Sequence, residues 1–363
     1  MFNIGVIGCG RISGQYLENF KTMFSGVARI VACSDLDIVV AETVAEEYEI
    51  EAVCTPHDLI ARDDVEVVLN LTNPWAHADV NETCLNGGKH VYAEKPLAMN
   101  REDARGVLSL AAEKSLRFGC APDTFLGAGL QTCIKLVDDG WIGTPTAVYG
   151  CITMPGAGLD ARYHSAGIGG VLLDMSPYYL TAMVSLFGPV KRVAGFSVNA
   201  TPTRSVWDMR KAEYGDVFDV EVPTTVCGTL EFDHGVFGHI TATVSAHAYG
   251  PELKVVGTDG VLECNDPNMF GGPVVLRRQG SEPREIPLSH QYDNRNRGVG
   301  LVEMMLAEDH GRPHRASGDL ACHVLDVMLA LTESAETGVY GVIDRGCERP
   351  EPLAPGHALN ALL

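Results

Sequence analysis

Long unbroken apolar runs are missing from this chain, as are closely spaced cysteine pairs and any excess of positive charge. No window supplies the roughly 18 successive apolar residues that a membrane span needs, although 46% of the 363 residues are hydrophobic. With 20% charged residues the composition is that of an ordinary globular protein. Lys and Arg total 27 against 47 Asp and Glu, a formal net charge of −20. Nucleic acid and anionic membrane both reward clustered cations, so neither is expected as a partner. The eleven cysteines contain no CxxC pair and their total is odd, which points to buried, reduced thiols rather than a disulfide framework. Phe2 to Ile7 already reads as a strand running into glycines, which leaves no secretory signal ahead of it. The cytoplasm is the expected compartment.

The length suggests two domains, a common setting for a ligand cleft. Up to about residue 122, short β-branched runs at 3–7, 30–33, 52–54, 65–72, 90–93 and 117–120 alternate with helical stretches beginning near Ser13, Val39, Ala76 and Arg101. That alternation predicts βα units and a doubly wound parallel sheet, a Rossmann domain over residues 1–122. Over residues 123–363 the texture changes. A helix at 127–139 is followed by strands at 146–153, 190–199, 222–232, 236–245 and 253–256, joined by turns such as Asp233-His234-Gly235. These predict an α+β domain with a large, mostly antiparallel sheet, covered on one face by apolar helices at 171–187, 299–308 and 320–336. The Pro-rich segment 349–355 reads as an extended arm.

The strand-to-helix turn GCGRIS carries the first chemistry. Gly8 permits the tight turn, Gly10 lets the backbone approach a pyrophosphate, and the small Ser13 allows close helix–strand packing. The helix start, with the amides of Arg11 and Ile12, then offers N–H groups to the phosphates. Asp35 follows the second strand, where an acid hydrogen-bonds the adenosine ribose and repels a 2′-phosphate. No Arg stands at Ser34 or Leu36, so NAD is expected over NADP. Asp37 could cap the next helix. The fourth strand ends in Thr72-Asn73-Pro74-Trp75-Ala76-His77, a polar turn at the sheet edge where a nicotinamide should lie, although Asn-Pro is also an ordinary turn and cap.

With GKHVYAEKPLA and the helix beginning GGVLLDMSPY, these segments resemble the glucose-fructose oxidoreductase/inositol dehydrogenase (Gfo/Idh/MocA) family over nearly the whole chain. The resemblance implies NAD(P)-dependent chemistry on sugars and polyols, and frequent homodimers or homotetramers formed through the second domain's sheet. It places the EKP lysine, here Lys95, beside nicotinamide and substrate hydroxyl, with Glu94 next to it as an orienting or ribose-binding acid. A fixed ammonium there can hold the hydroxyl and stabilise an incipient alkoxide. The family's second motif sets an Asp and a His four residues apart on one helix face. This chain has Asp174 but Tyr178 where the histidine belongs, so the general base is open between Tyr178, Lys95 and His164. Asp123, Phe125, Arg162, Tyr163, Tyr179, Asn294 and Arg297 are candidates for holding a carbohydrate substrate. Gly311 and Pro313 spoil helical spacing between His310 and His314, and no metal site is expected. The leading expectation is a dehydrogenase acting on a ring hydroxyl. Two others remain: a redox-neutral enzyme that oxidises its sugar transiently to permit elimination or hydrolysis, and an NAD-responsive binding protein.

Overall fold

In the computed structural model, which describes residues 1–156, 161–165, 168–207, 209 and 211–356 (the Arg162 side chain excepted), the early apolar runs become one parallel sheet. Its strands are β1 (Phe2–Ile7), β2 (Ala28–Ser34), β3 (Ala52–Val53), β4 (Val67–Asn70), β5 (His90–Ala93) and β6 (Phe118–Cys120). They stand in the order β3-β2-β1-β4-β5-β6, all neighbours parallel. The interleaved helices are α1 (Ser13–Lys21), α2 (Ile38–Tyr48), α3 (Pro56–Ala61), α4 (His77–Asn86) and α5 (Arg101–Glu113). Helix α3 is one the sequence reading passed over. It is short, but Thr55 caps it by accepting from the Asp58 amide at 3.1 Å, and Pro56 opens it.

Strand order reverses at β1, with β2 on one side and β4 on the other, which is the switch point where α/β sheets bind ligands. Register levels the carboxyl edge: Ser34 pairs with Ile7, Ile7 with Asn70, Asn70 with Ala93 and Ala93 with Cys120. The segments that follow these five residues therefore leave the sheet side by side. Gly8 turns the chain there with φ +99°. An added Cβ would lie 2.6 Å from the Leu71 carbonyl carbon and oxygen, so only glycine fits.

Two compact units divide the chain. The first joins Met1–Leu126 to Asn294–Cys322 and the described residues from Leu353, and the second joins Gly127–Asp293 to His323–Pro352. A single boundary after residue 122 is thus replaced by a chain that returns to its first unit. The return is bonded in place: the Gly298 and Gly300 amides donate to Asp123 Oδ2 at 2.8 and 3.1 Å, and Gly119 bridges to Ser317. Within the returning segment the fully buried Glu303 accepts from Arg312 Nη1 at 2.6 Å and from Arg315 Nη1 at 2.8 Å.

The second unit begins with α6 (Ala128–Asp138), β7 (Pro145–Pro155) and α7 (Gly170–Phe187). Then come β8 (Val190–Val198), β9 (Thr203–Ser205), β10 (Val217–Asp219), β11 (Thr225–Phe232), β12 (Phe237–Thr243), β13 (Ser245–Gly257), β14 (Val261–Cys264), β15 (Val275–Arg277) and β16 (Arg284–Glu285). Helix α8 (Val299–Asp309) belongs to the returning segment, the unit boundary falls inside α9 (Gly318–Thr337), and β17 (Gly341–Val342) closes the set. Nine strands form one sheet in the order β16-β15-β14-β13-β7-β12-β11-β8-β17. It is mostly antiparallel, as expected, with one parallel pair, β12 with β7. The expected strand at 253–256 is the end of the much longer β13, and the β9–β10 ribbon was not anticipated.

Helix α7 packs on β7, β11 and β12. By length and mean hydropathy (1.2) it could cross a membrane, but 94% of it is buried in the fold, as expected of a helix apolar on all sides. The Pro-rich segment is anchored rather than free at its start: Arg349 donates from Nε to the Ser185 carbonyl at 2.8 Å and from Nη2 to both Asp138 oxygens at 2.9 Å.

Candidate active site

The carboxyl edge of the first unit gathers most residues expected to hold a dinucleotide. A Cβ on Gly10 would meet nothing within 4 Å, so the space above the glycine turn is open. Helix α1 follows Ile12 without a side-chain cap; the Ser13 and Gln15 amides turn back onto the Gly10 and Ile12 carbonyls at 3.0 and 3.2 Å, and no side chain closes the helix start to an anion. Ser13 folds its hydroxyl onto the Gly10 carbonyl at 2.7 Å and keeps the turn closed. Asp35 accepts from the Cys9 amide at 2.7 Å and from the Asp37 amide at 3.0 Å, tying the glycine turn to the end of β2. A carboxylate has room for further donors beyond these two. Capping of α2 falls to Asp37, which accepts from the Val39 amide at 3.0 Å. These residues fit a dinucleotide: an open turn, an uncapped helix start and an acid beside it.

The turn after β4 is held from within. Asn70, fully buried, accepts from the Thr72 amide at 3.1 Å and the Thr72 hydroxyl at 2.7 Å, and donates to Asn81 Oδ1 at 2.8 Å. Asn73 precedes a short 3-10 turn, Pro74–Ala76, without capping it, and stays exposed. His77 does not face outward. It is 1% exposed, with Nδ1 2.6 Å from the Pro96 carbonyl and Nε2 3.0 Å from the Thr72 carbonyl. Burial lowers its pKa, in opposition to the two carbonyls.

Lys95 follows β5 and is half-buried. Glu94, expected to orient the lysine or to reach a ribose, is 6% exposed: its Oε1 accepts from the Tyr16 hydroxyl at 2.7 Å and its Oε2 from the Lys95 amide at 3.0 Å. Burial first, and then the Glu94 carboxylate, keep the Tyr16 phenol protonated and therefore a donor.

Several expected substrate contacts are fold supports. Asp123 is fully buried, capping α8 through Gly298 and Gly300, and Phe125 is 2% exposed. Burial raises the Asp123 pKa to about 6, with Arg297 pulling the other way. Arg297 is 6% exposed and donates to Gln15 Oε1 at 3.2 Å. Asn294 is exposed and lines a groove of about 480 Å³ with Gln15, Asn19, Tyr48 and their neighbours. Position in a loop suggested ligand contact for Asp123, Phe125 and Arg297, but the return of Asn294–Cys322 buries them.

In the second unit, α7 supplies the other motif. Every residue of this helix is buried except Asp174. An acid is thus the one point at which an otherwise apolar helix reaches the surface of its unit. The Tyr163 hydroxyl lies beside it, and burial followed by the Asp174 carboxylate raises that phenol's pKa. Tyr178, one turn along, is 5% exposed, and Tyr179 is wholly buried, a core residue rather than a substrate contact. His164 is 1% exposed and packs edge-on to Tyr163 and against Phe218. Burial first, and Arg204 second, push its pKa down to about 4, and neither ring nitrogen has a hydrogen-bond partner among the described residues. That leaves it neutral and closed to solvent, a poor position for a base. The side chain of Arg162 lies outside the described residues.

The structure adds residues the sequence did not single out. Tyr249 on β13 donates to Asp266 Oδ2 at 2.6 Å, and burial first, then that carboxylate, raises its pKa, with Tyr178 adding a smaller push in the same direction. Nothing in a Tyr-Gly pair inside a strand marks it in advance. His310 and His314 bond backbone carbonyls of Leu306 and Phe118, and among the described residues no metal-binding cluster forms.

Comparison with known proteins agrees with this geometry. Residues 2–121 match the oxidoreductase family with an NAD-binding Rossmann fold, and residues 130–263 match the Gfo/Idh/MocA C-terminal domain. The chain is 30% identical over 297 residues to dTDP-3,4-didehydro-2,6-dideoxy-alpha-D-glucose 3-reductase of Streptomyces violaceoruber, covering 79% of this chain and 81% of that one. It is 34% identical over 153 residues to inositol 2-dehydrogenase of Salmonella paratyphi B, covering 40% and 44%. Among solved structures, levoglucosan dehydrogenase in complex with NADH and levoglucosan superposes with a TM-score of 0.81 at 19% identity, over 95% of this chain and 99% of the other. The chain is therefore an oxidoreductase of the Gfo/Idh/MocA family.

Proposed function

We propose that the chain is an NAD-dependent dehydrogenase that moves a hydride between nicotinamide and a hydroxyl-bearing carbon of a sugar, cyclitol or glycoside. The observation that carries this reading is the level carboxyl edge, where the open glycine turn, Asp35, the Thr72–Pro74 turn and Lys95 emerge from neighbouring strands. The relatives support a carbohydrate-like substrate, being named for a dTDP-sugar, inositol and 1,5-anhydro-D-fructose. NAD is preferred to NADP because the Asp35 carboxylate stands where a 2′-phosphate would put like charge.

When bound, the dinucleotide supplies hydride acceptance or donation at its nicotinamide ring. The glycine turn and the start of α1 hold its pyrophosphate, Asp35 its ribose, and Thr72, Asn73 and Pro74 flank the nicotinamide half. Lys95 holds the substrate hydroxyl and stabilises the negative charge that grows on oxygen as its proton leaves. Asp174 binds a neighbouring hydroxyl, and Tyr178 takes the place of the family histidine. Tyr178 or Lys95 receives the proton.

The enzyme works in the cytoplasm, a reading supported by all eleven cysteines being free thiols. Tyr149, Phe196 and Phe237 share the uncovered face of the nine-stranded sheet at 48, 73 and 55% exposure, which supports a homodimer or homotetramer formed there. A panel of sugars, polyols and glycosides incubated with NAD and read by NADH absorbance tests the activity. Lys95→Ala should abolish turnover of any active substrate while leaving NADH affinity within about threefold, since one transition-state contact is lost and the cofactor site is intact. Turnover near the parent rate would remove Lys95 from the chemistry.

A further inference from the structure

Two buried side chains outside the substrate site grip the lysine turn from opposite ends. On its amino side, Tyr16 of α1 is fully buried and donates to Glu94 Oε1 at 2.7 Å, while Glu94 Oε2 accepts the Lys95 amide at 3.0 Å. On its carboxyl side, His77 of α4 is 1% exposed and lies 2.6 Å from the Pro96 carbonyl. Proline has a fixed φ, so holding its carbonyl also restricts the residue before it. Both flanks of Lys95 are thereby fixed through atoms that are not its own side chain.

The grip has a foundation. The other ring nitrogen of His77 is 3.0 Å from the Thr72 carbonyl, and Thr72 is itself fixed by two bonds to the buried Asn70. Asn70 in turn bonds Asn81 on α4, the helix that bears His77. Buried polar groups are costly unless satisfied, and a network of this kind restricts the arrangements open to the turn.

We propose that Tyr16 and His77 are positioning residues for Lys95, acting through Glu94 and through the Pro96 carbonyl, and that they set the ammonium's place at the reacting hydroxyl. Tyr16 stands three residues after Ser13, so the same helix that starts at the pyrophosphate turn also fixes the lysine turn. This deepens the proposed role of Lys95 and rests on it for the catalytic consequence. The restraint on the lysine turn is a property of the folded chain alone.

The first test therefore needs no substrate. Parent, Tyr16→Phe, His77→Leu and His77→Gln proteins are trace-labelled with acetic anhydride, and the acetylation rates of Lys95 and of the half-exposed Lys191 are compared by peptide mass spectrometry. Tyr16→Phe and His77→Leu should change the Lys95 rate by about threefold or more with Lys191 unchanged. His77→Gln, which keeps an N–H for the Pro96 carbonyl, should stay within about twofold of the parent. An unchanged Lys95 rate in folded Tyr16→Phe overturns the proposal, and this variant carries the test if His77→Leu does not fold.

The second test uses the sugar found active in the panel. Both variants should lower kcat by about tenfold to a hundredfold, the scale of misplacing a catalytic group by about 1 Å, with NADH affinity within about threefold. A loss confined to kcat marks positioning of the lysine, whereas an equal loss of NADH affinity would make them structural residues only. A parent that turns over no sugar defeats the proposed function but leaves the labelling result standing.

Discussion

Replacing Asp123 by Asn isolates the electrostatic consequence of the returning segment. The carboxyl is fully buried and its pKa is raised from 3.8 to about 6. Folding thus favours its protonated form. Stability from this group is fully present below about pH 4 and is lost as pH rises to about 6, above which the penalty is constant. A difference of about two pH units corresponds to about 3 kcal/mol at 1.36 kcal/mol per unit. Asparagine cannot ionise, yet its Oδ1 still accepts from the Gly298 and Gly300 amides. Its amide nitrogen replaces an Asp123 Oδ1 that has no hydrogen-bond partner among the described residues, near a Tyr92 hydroxyl in the same condition. The bonds to the charged form are already contained in that shifted pKa, so the variant should be near parity at about pH 4 and gain about 3 kcal/mol at neutral pH. Urea unfolding of parent and variant across about pH 4 to 8 gives the comparison. The stability difference between them should change by about 3 kcal/mol in favour of Asn as pH rises through this range. A difference independent of pH, or one changing in the opposite direction, would refute the reasoning about burial.

Three further outcomes bear on the site and the assembly. Asp35→Ser should narrow the NAD over NADP preference in cofactor titrations by about tenfold, one lost charge contact of about 1.4 kcal/mol; an unchanged ratio would take Asp35 away from the ribose. Tyr178→Phe should lower kcat and move the alkaline limb of its pH profile if Tyr178 receives the proton, and a parent-like rate and profile would leave that task to Lys95. Phe196→Asp puts a charge on the exposed sheet face and should shift the chain to monomers in light scattering, since a desolvated unpaired carboxylate opposes the interface; an unaltered mass would place any interface elsewhere.

The residues legible in the sequence are those whose role is decided within a few positions of a strand end. Gly8 and Gly10 are legible because a tight turn and an open approach are local requirements, and Asp35 lies beside that turn because it follows the second strand. Asp174 is legible because a lone acid in an apolar helix has few explanations, and it is the one residue of α7 that is not buried. His77 belongs to the right segment, but its neighbours sit on two other loops, and no spacing reveals that its ring points to Pro96 rather than outward. Tyr16 and Asn70 read as ordinary helix and strand residues. Their polar atoms acquire purpose only when β4, β5 and α1 are assembled.

Asp123, Phe125 and Arg297 fail for the converse reason. They are polar or aromatic residues at element ends, the type that commonly lines a site, and their burial is imposed by Asn294–Cys322 returning from far along the chain. Closure of that kind leaves no periodicity behind. It also shows what the buried charged residues of the first unit do: Asp123 accepts from the start of α8, and Glu303 gathers Arg312 and Arg315, so the cost of burying them is offset only in part by fastening the returning segment. The surface charge that sets the chain's acidity and the buried charge that fastens the returning segment are therefore different populations, and only the first can be read from composition.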